Sequence, residues 1–179
     1  MTRTAAAVVV ACLAVGSLAA RQEKSEGGMA LRPVAQTPEW KKLVSLVGAW
    51  DGWYDEGGGK KGVATAEVRM TGDGSAVMHV MGRDTPHEMV TMFHPDGKRL
   101  LATHYCAAHN QPRMALAPAP APNQLAFEFV DGTNIEPGDV YMKRLVVTFL
   151  DADHHDEAWT SIAKGVETPP MVFRYTRRK

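Results

Sequence analysis

The segment Gly62–Met81 reads GVATAEVRMTGDGSAVMHVM and consists of two alternating runs with a turn between them. Apolar and polar residues alternate from position 62 to position 71, which is typical of a strand with one buried face and one solvated face. Asp73 and Gly74 tolerate the positive φ that a tight hairpin loop requires. The segment therefore predicts an antiparallel β-hairpin.

The register of this hairpin decides where His79 lies. A two-residue turn pairs Val68 with His79 and places the imidazole on the apolar face. A slip of one residue would instead turn Met78 and Val80 inward. The alternation alone leaves both registers open, and an inward His79 is a candidate ligand contact.

Similar runs, bounded by glycine-rich or proline-rich turns, recur along the chain at intervals of about ten residues. No segment of crossover-helix length separates them, which disfavours a parallel sheet. Closure would remove the exposed edges of so many strands. We therefore predict an all-β fold, an antiparallel up-and-down barrel of about ten strands with a short N-terminal helix. The predicted strands lie near 48–55, 62–71, 75–82, 88–94, 99–106, 112–117, 124–130, 140–150, 156–163 and 170–176.

The short helix is predicted directly before the first strand. Thr37 supplies an N-cap hydroxyl, and Pro38 suits the first helical position. The helix would end near Leu46. Its apolar residues recur at spacings of three and four, so we expect one apolar face that packs on the barrel.

The first residues have the pattern of a secretory signal peptide. Arg3 precedes the apolar stretch Ala5–Ala20, and the small residues Ser17 and Ala19 suit a cleavage site before Ala20. Lipoprotein processing at Cys12 is the alternative.

Three segments follow from this pattern. Cleavage after Ala19 would leave Cys106 as the single cysteine, so no intramolecular disulfide is expected. We expect the mature protein in the periplasm or outside the cell. The segments are a signal peptide at 1–19, a flexible leader at 20–36 and one barrel domain at 37–179.

The formal net charge is zero, from 20 Lys and Arg residues against 20 Asp and Glu residues. Such a chain has no overall field that would attract nucleic acid or, once the signal is removed, an anionic membrane. We therefore expect neither partner. The last three residues, Arg177 to Lys179, are expected to be a solvated end.

The stretch Leu43–Gly52 reads LVSLVGAWDG and resembles the L-x-G-x-W-x-G opening of lipocalin-like (calycin) barrels, including nitrobindin-like and fatty-acid-binding-like relatives. The resemblance implies a barrel whose tryptophan plugs one end. A second stretch, from Thr103 to Met114, resembles segments of uncharacterised exported bacterial proteins of this barrel type. Small barrels hold one ligand in the lumen or at its mouth.

Polar side chains concentrate where one predicted strand turns into the next, between His104 and Arg113. They could line a ligand mouth, cap a structural turn, or form a reactive site. In the reactive alternative His104 and Cys106 point to one face of a strand and could pair as base and thiol. The full group is His104, Tyr105, Cys106, His109, Asn110, Gln111 and Arg113.

Methionines and a histidine-rich loop complete the candidate features. Eight methionines fall within predicted strands, where their flexible side chains suit an adaptable apolar cavity. They are Met70, Met78, Met81, Met89, Met92, Met114, Met142 and Met171. The segment 151–156 carries two histidines among three aspartates, and we expect a solvated loop there, with no metal.

Together these features predict an exported, non-catalytic barrel that binds a small apolar or amphipathic molecule. The predicted ligand-binding residues are Met70, His79, Met81, His104, Cys106, Asn110 and Arg113. No catalytic residue, metal site or cofactor is assigned. Two alternatives stay open: a haem-binding barrel with His79 or His104 as axial ligand, which the resemblance to nitrobindin implies, and an enzyme. The enzyme would be an isomerase, a lyase or a thiol-dependent catalyst built on His104, Cys106 and Arg113.

Overall fold

A computed structural model describes residues 32–179, so the predicted signal peptide and most of the leader lie outside the described residues. The described chain forms one helix and eleven strands. They are α1 (Pro38–Val44), β1 (Gly48–Gly57), β2 (Lys60–Thr71), β3 (Ala76–Met81), β4 (Met89–Asp96), β5 (Arg99–Tyr105), β6 (Gln111–Ala117), β7 (Gln124–Thr133), β8 (Tyr141–Phe149), β9 (His154–Ala163), β10 (Val166–Glu167) and β11 (Met171–Arg177). In this described part, no helix has the length and apolar character needed to span a membrane.

The ten long strands close into an antiparallel barrel, which confirms the predicted fold class. Strands β1 to β9 pair in chain order, and β11 lies between β9 and β1. The two-residue β10 is the one strand that the sequence analysis missed, and it extends the edge of β9 beside β11. Closure leaves both edges of every long strand paired along part of its length.

The helix closes one end of the barrel. Thr37 caps it, because its hydroxyl accepts a hydrogen bond of 3.1 Å from the backbone N–H of Trp40. Trp40 and Leu43 are buried in the core. The indole of Trp50 at the start of β1 donates to the carbonyl of Leu46 at 2.8 Å. Apolar and aromatic side chains therefore pack across this end of the lumen.

The expectation of a solvated C-terminal end is wrong for Arg177. Its guanidinium lies 4.1 Å from the centroid of the Trp50 ring and donates to the carbonyls of Ser45 and Val47. Gly48 makes room for it: the residue has a φ of +145°, and a Cβ there would lie 2.6 Å from Nη1 of Arg177. The last strand is thus tied to the helix end of the barrel.

The hairpin around Gly74 has the register that turns His79 inward. Val68 pairs with His79, and His79 is buried. The predicted loop at 151–156 is wrong in part, because β9 begins at His154 and buries His155 in the lumen. The two adjacent histidines point to opposite faces, as an extended strand requires, and His154 stays exposed.

Candidate functional site

A buried polar group lies in the centre of the barrel, and we call it the central cluster: His79, His155, Glu157 and Trp159. Nε2 of His155 forms a hydrogen bond of 3.2 Å with Oε1 of Glu157, and the indole of Trp159 donates to Oε2 at 3.0 Å. Nε2 of His79 is also 3.2 Å from Oε1. The direction of that approach does not make a hydrogen bond, so it is an electrostatic contact.

The central cluster compensates the charge of a carboxylate that has lost its water. Burial by itself raises the pKa of Glu157, but the charge of His79 and the hydrogen bond from His155 outweigh it and hold the pKa below its ordinary value. Glu157 is 2% exposed and stays ionised. The ring of Tyr175 stacks on His155 with centroids 5.1 Å apart.

The void lined by His79 and Glu157 is too small for a ligand. A void of about 10 Å³ lies between His79, Glu157 and the apolar side chains of the helix end. This volume is at the lower limit for one water molecule. The protein's own side chains therefore fill the centre of the lumen around His79. No molecule larger than water can contact His79 there.

A larger cavity opens where the barrel is not covered by the helix. Near its start, β9 carries His155, which contacts Trp50 at the helix end of the barrel. Further along β9, Trp159 and Ser161 line this second cavity. Six residues span about 20 Å of strand, so the two ends of the lumen are well separated. We call this cavity the mouth pocket.

The mouth pocket has a volume of about 350 Å³ and a mostly apolar wall. Its apolar lining consists of Met81, Met89, Met142, Trp159, Pro169, Met171 and Phe173. Its polar lining consists of His104, Ser161 and Thr168, and the last two bond each other at 2.9 Å. No Asp, Glu, Lys or Arg side chain of the described chain lines it.

His104 forms the buried polar part of the pocket wall. Nδ1 lies 2.8 Å from the hydroxyl of Thr91, whereas Nε2 is buried without a hydrogen-bond partner. Burial is the main reason that the pKa of His104 is lowered to about 4, and the charge of His79 adds to the effect. The imidazole is therefore neutral at pH 7. Its ring also packs against Trp159, with centroids 4.8 Å apart.

The structure separates the other predicted site residues from this pocket. Asn110 is buried and donates to the carbonyl of Val140 at 2.8 Å, which ties two loops together. Arg113 is exposed and forms a bidentate pair with Asp131. Met70 packs on the outer part of the core. Of the predicted ligand-binding residues, the mouth pocket brings together Met81 and His104.

Cys106 is a half-buried free thiol beyond the end of β5. Burial raises the pKa of this thiol, which disfavours the thiolate. His104 does not bond it, because Nδ1 is held by Thr91 and Nε2 has no partner. The arrangement of base and thiol that the enzyme alternative needs is not formed between these two side chains.

The resemblance to nitrobindin implies a haem, and neither His79 nor His104 fits one as axial ligand. Nε2 of His79 faces Glu157 beside a void of about 10 Å³. Nε2 of His104 is covered by its neighbours. A single hydroxyl group needs little room in front of this nitrogen, whereas a haem iron would bring a rigid, planar macrocycle directly over it. Within residues 32–179, no three His, Cys, Asp or Glu side chains are arranged to hold a metal ion.

Sequence reasoning missed Glu157, Trp159, His155 and Thr91. Three of these share the inward face of β9, because they alternate in the sequence HHDEAWT. The period-two signal was present, but polar residues on both faces hid which face is buried. Nothing in the sequence around Thr91 indicates a role in the site. The structure identifies it because Thr91 on β4 lies opposite His104 on β5.

Comparisons with known proteins support the barrel fold and assign no activity. No family model and no curated protein sequence matches the chain. Among solved structures, Rv2717c from M. tuberculosis is similar at a TM-score of 0.57 and 12% identity, over 80% of this chain and 99% of that one. A DUF3598 protein of unknown function from Nostoc punctiforme is similar at a TM-score of 0.53 and 13% identity, over 82% of this chain and 51% of that one.

Both similarities concern the barrel fold alone. At sequence identities of 12% and 13%, the role of a residue in those proteins cannot be assigned to a residue of this chain. The chain spans about half the length of the DUF3598 protein. The barrel is compatible with the calycin resemblance of the opening motif.

Proposed function

We propose that this protein is an exported barrel that binds one small apolar or amphipathic molecule in the mouth pocket, without catalysis. The observation that carries the proposal is the pocket itself, a cavity of about 350 Å³ with a mostly apolar wall. Ligand sites are typically concave, about 300–1,000 Å³ in volume and lined mainly by apolar side chains with a few polar groups. The mouth pocket meets each of these criteria.

Methionine gives this pocket its adaptability. Four of the lining residues are methionines, namely Met81, Met89, Met142 and Met171. Their unbranched side chains adjust to the shape of a bound molecule at little cost. An apolar molecule that enters the pocket leaves water, and that transfer supplies most of the binding free energy.

Titration with the neutral fluorescent probe N-phenyl-1-naphthylamine tests the proposal. We expect saturable binding of one probe per chain. Met171→Trp places a large ring at the half-exposed rim of the pocket and should weaken binding at least about tenfold. The matched control is Val63→Trp, at a residue that is 86% exposed and outside the pocket. Absence of saturable binding, or equal weakening in the two variants, would overturn the proposal.

Export is the second component of the proposal, and it is supported by the pattern of residues 1–19. Expression of the full chain in a Gram-negative host tests it. We expect a periplasmic protein that begins at Ala20, measured by intact mass. Deletion of residues 2–19 should keep the protein in the cytoplasm. An uncleaved cytoplasmic full-length chain would contradict export.

A further inference from the structure

His104 is the feature of the mouth pocket that an apolar ligand alone does not explain. It lies in the pocket wall, is 1% exposed, and has one ring nitrogen without a partner. Buried polar groups in native proteins are almost always hydrogen-bonded. Within residues 32–179, six buried side-chain atoms have no hydrogen-bond partner, and Nε2 of His104 is the one whose residue lines the mouth pocket. Four methionines line the same pocket as His104, and their flexible side chains can move aside for a ligand group.

The surroundings of His104 select against a charged ligand. The lining contains no cationic side chain that could pair with a carboxylate. The ionised Glu157 lies directly behind Trp159, which donates to it at 3.0 Å, and its charge would repel an anion in the pocket. A charged group would also lose its water in an apolar cavity without compensation.

We propose that the ligand is an uncharged, mostly apolar molecule with one hydroxyl group, which hydrogen-bonds to Nε2 of His104. This inference rests on the proposed binding function of the mouth pocket. It narrows the ligand class from apolar or amphipathic molecules to alcohols and phenols, and it disfavours fatty acids.

A hydroxyl group fits because it satisfies either tautomer of His104. If the hydroxyl of Thr91 donates to Nδ1, Nε2 carries the proton and needs an acceptor. If Thr91 accepts from Nδ1, Nε2 is an acceptor and needs a donor. An alcohol or phenol can act as both, whereas an ether or a ketone serves the first tautomer alone.

Three probes of one shape test the inference: naphthalene, 2-naphthol and 2-naphthoate, each measured by displacement of N-phenyl-1-naphthylamine at pH 7. In the wild-type protein, 2-naphthol should bind about fivefold more tightly than naphthalene, the size of one neutral hydrogen bond. The anion 2-naphthoate should bind at least about tenfold more weakly than 2-naphthol.

The variant His104→Leu removes the ring nitrogen and keeps an apolar wall. We expect the ratio of the 2-naphthol affinity to the naphthalene affinity to fall from about five to about one, a readout that a general change in pocket affinity does not move. Thr91→Val is a second variant, which leaves Nε2 in place but removes the hydroxyl that orients the ring. It should reduce the preference for 2-naphthol without abolishing naphthalene binding.

The outcomes separate this inference from the proposed function. If naphthalene and 2-naphthol bind equally in the wild type, or if His104→Leu keeps the preference, the hydroxyl inference fails and the apolar pocket stands. If 2-naphthoate binds most tightly, the ligand class is anionic and the inference is again overturned. If none of the probes displaces N-phenyl-1-naphthylamine, the hydroxyl inference fails, whereas the binding function itself fails if N-phenyl-1-naphthylamine does not bind saturably.

Discussion

The centre of the barrel and its mouth differ in the space beside their buried polar groups. In the central cluster both oxygens of Glu157 are contacted by fixed side chains, and the void beside them is about 10 Å³. In the mouth pocket His104 keeps an unpartnered nitrogen beside a cavity of about 350 Å³. In the centre, the Glu157 carboxylate contacts side chains of the protein and contributes to stability. At the mouth, the neutral imidazole of His104 has a nitrogen that a ligand could contact.

The largest expected effect comes from neutralising the centre. Glu157→Gln removes the charge between His79 and His155 and should lower the free energy of unfolding by about 2–3 kcal/mol, because the carboxylate's hydrogen bonds with His155 and Trp159 are bonds to a buried charged group. Urea unfolding at pH 7 measures it. Glu128→Gln is the matched control, since its pair with Arg144 is partly exposed and should contribute at most about 1 kcal/mol. Equal losses in the two variants would contradict the comparison.

An intermediate effect should appear when His104 titrates. Its pKa is lowered from 6.5 to about 4 in the folded protein, so the unfolded chain binds the proton first as the pH falls. The neutral His104 side chain therefore makes its full contribution to the free energy of unfolding above pH 6.5, and this contribution is lost as the pH falls towards 4. We expect a loss of about 2 kcal/mol between pH 7 and pH 5.

The variant His104→Leu isolates this contribution. Urea unfolding of the wild type and the variant at pH 7 and pH 5 gives the difference between their pH dependences. Because other groups titrate equally in both chains, the variant should lose about 2 kcal/mol less than the wild type over this range. Identical pH dependences would show that His104 is not held neutral in the folded state.

The smallest effect concerns the methionines. Met142→Leu at the mouth should change the stability by less than about 0.5 kcal/mol, because a side chain that borders a cavity has room to adjust. Met114→Leu in the packed core, where Met114 is 1% exposed, should cost up to about 1.5 kcal/mol. Thermal unfolding compares them. A larger loss for Met142→Leu would mean that the mouth is packed as tightly as the core.

The fold was predictable because the clearest segments alternate with a period of two and all ten are separated by turn residues. The failures have local physical causes. β10 has two residues, too few for any period to show. Arg177 makes its contacts with Trp50 and with backbone carbonyls about 130 positions away, which no pattern around residue 177 indicates.

The site was predictable only in part. The density of polar residues from 104 to 113 pointed to His104, but the same residues separate in space, since Arg113 pairs with Asp131 and Asn110 holds a loop. His155 was assigned to a loop, and Glu157 was left out of the predicted site. The reason is that the inward face of a barrel strand is usually apolar, so a buried charge there was not expected. Which polar residue is buried depends on partners from other strands, here His79 on β3.

The position of β11 sets the order of events when the chain is made. It lies between β9 and β1 and is the strand that closes the barrel, although it comes from the last residues of the sequence. Until Arg177 has left the ribosome, β1 and β9 lack their shared neighbour, and the barrel cannot close. Folding must then join the first strand to the last, a contact of high sequence separation and a slow step. Until β11 is in place, the edges of β1 and β9 that it covers stay unpaired and are accessible to a chaperone or to a strand of another chain.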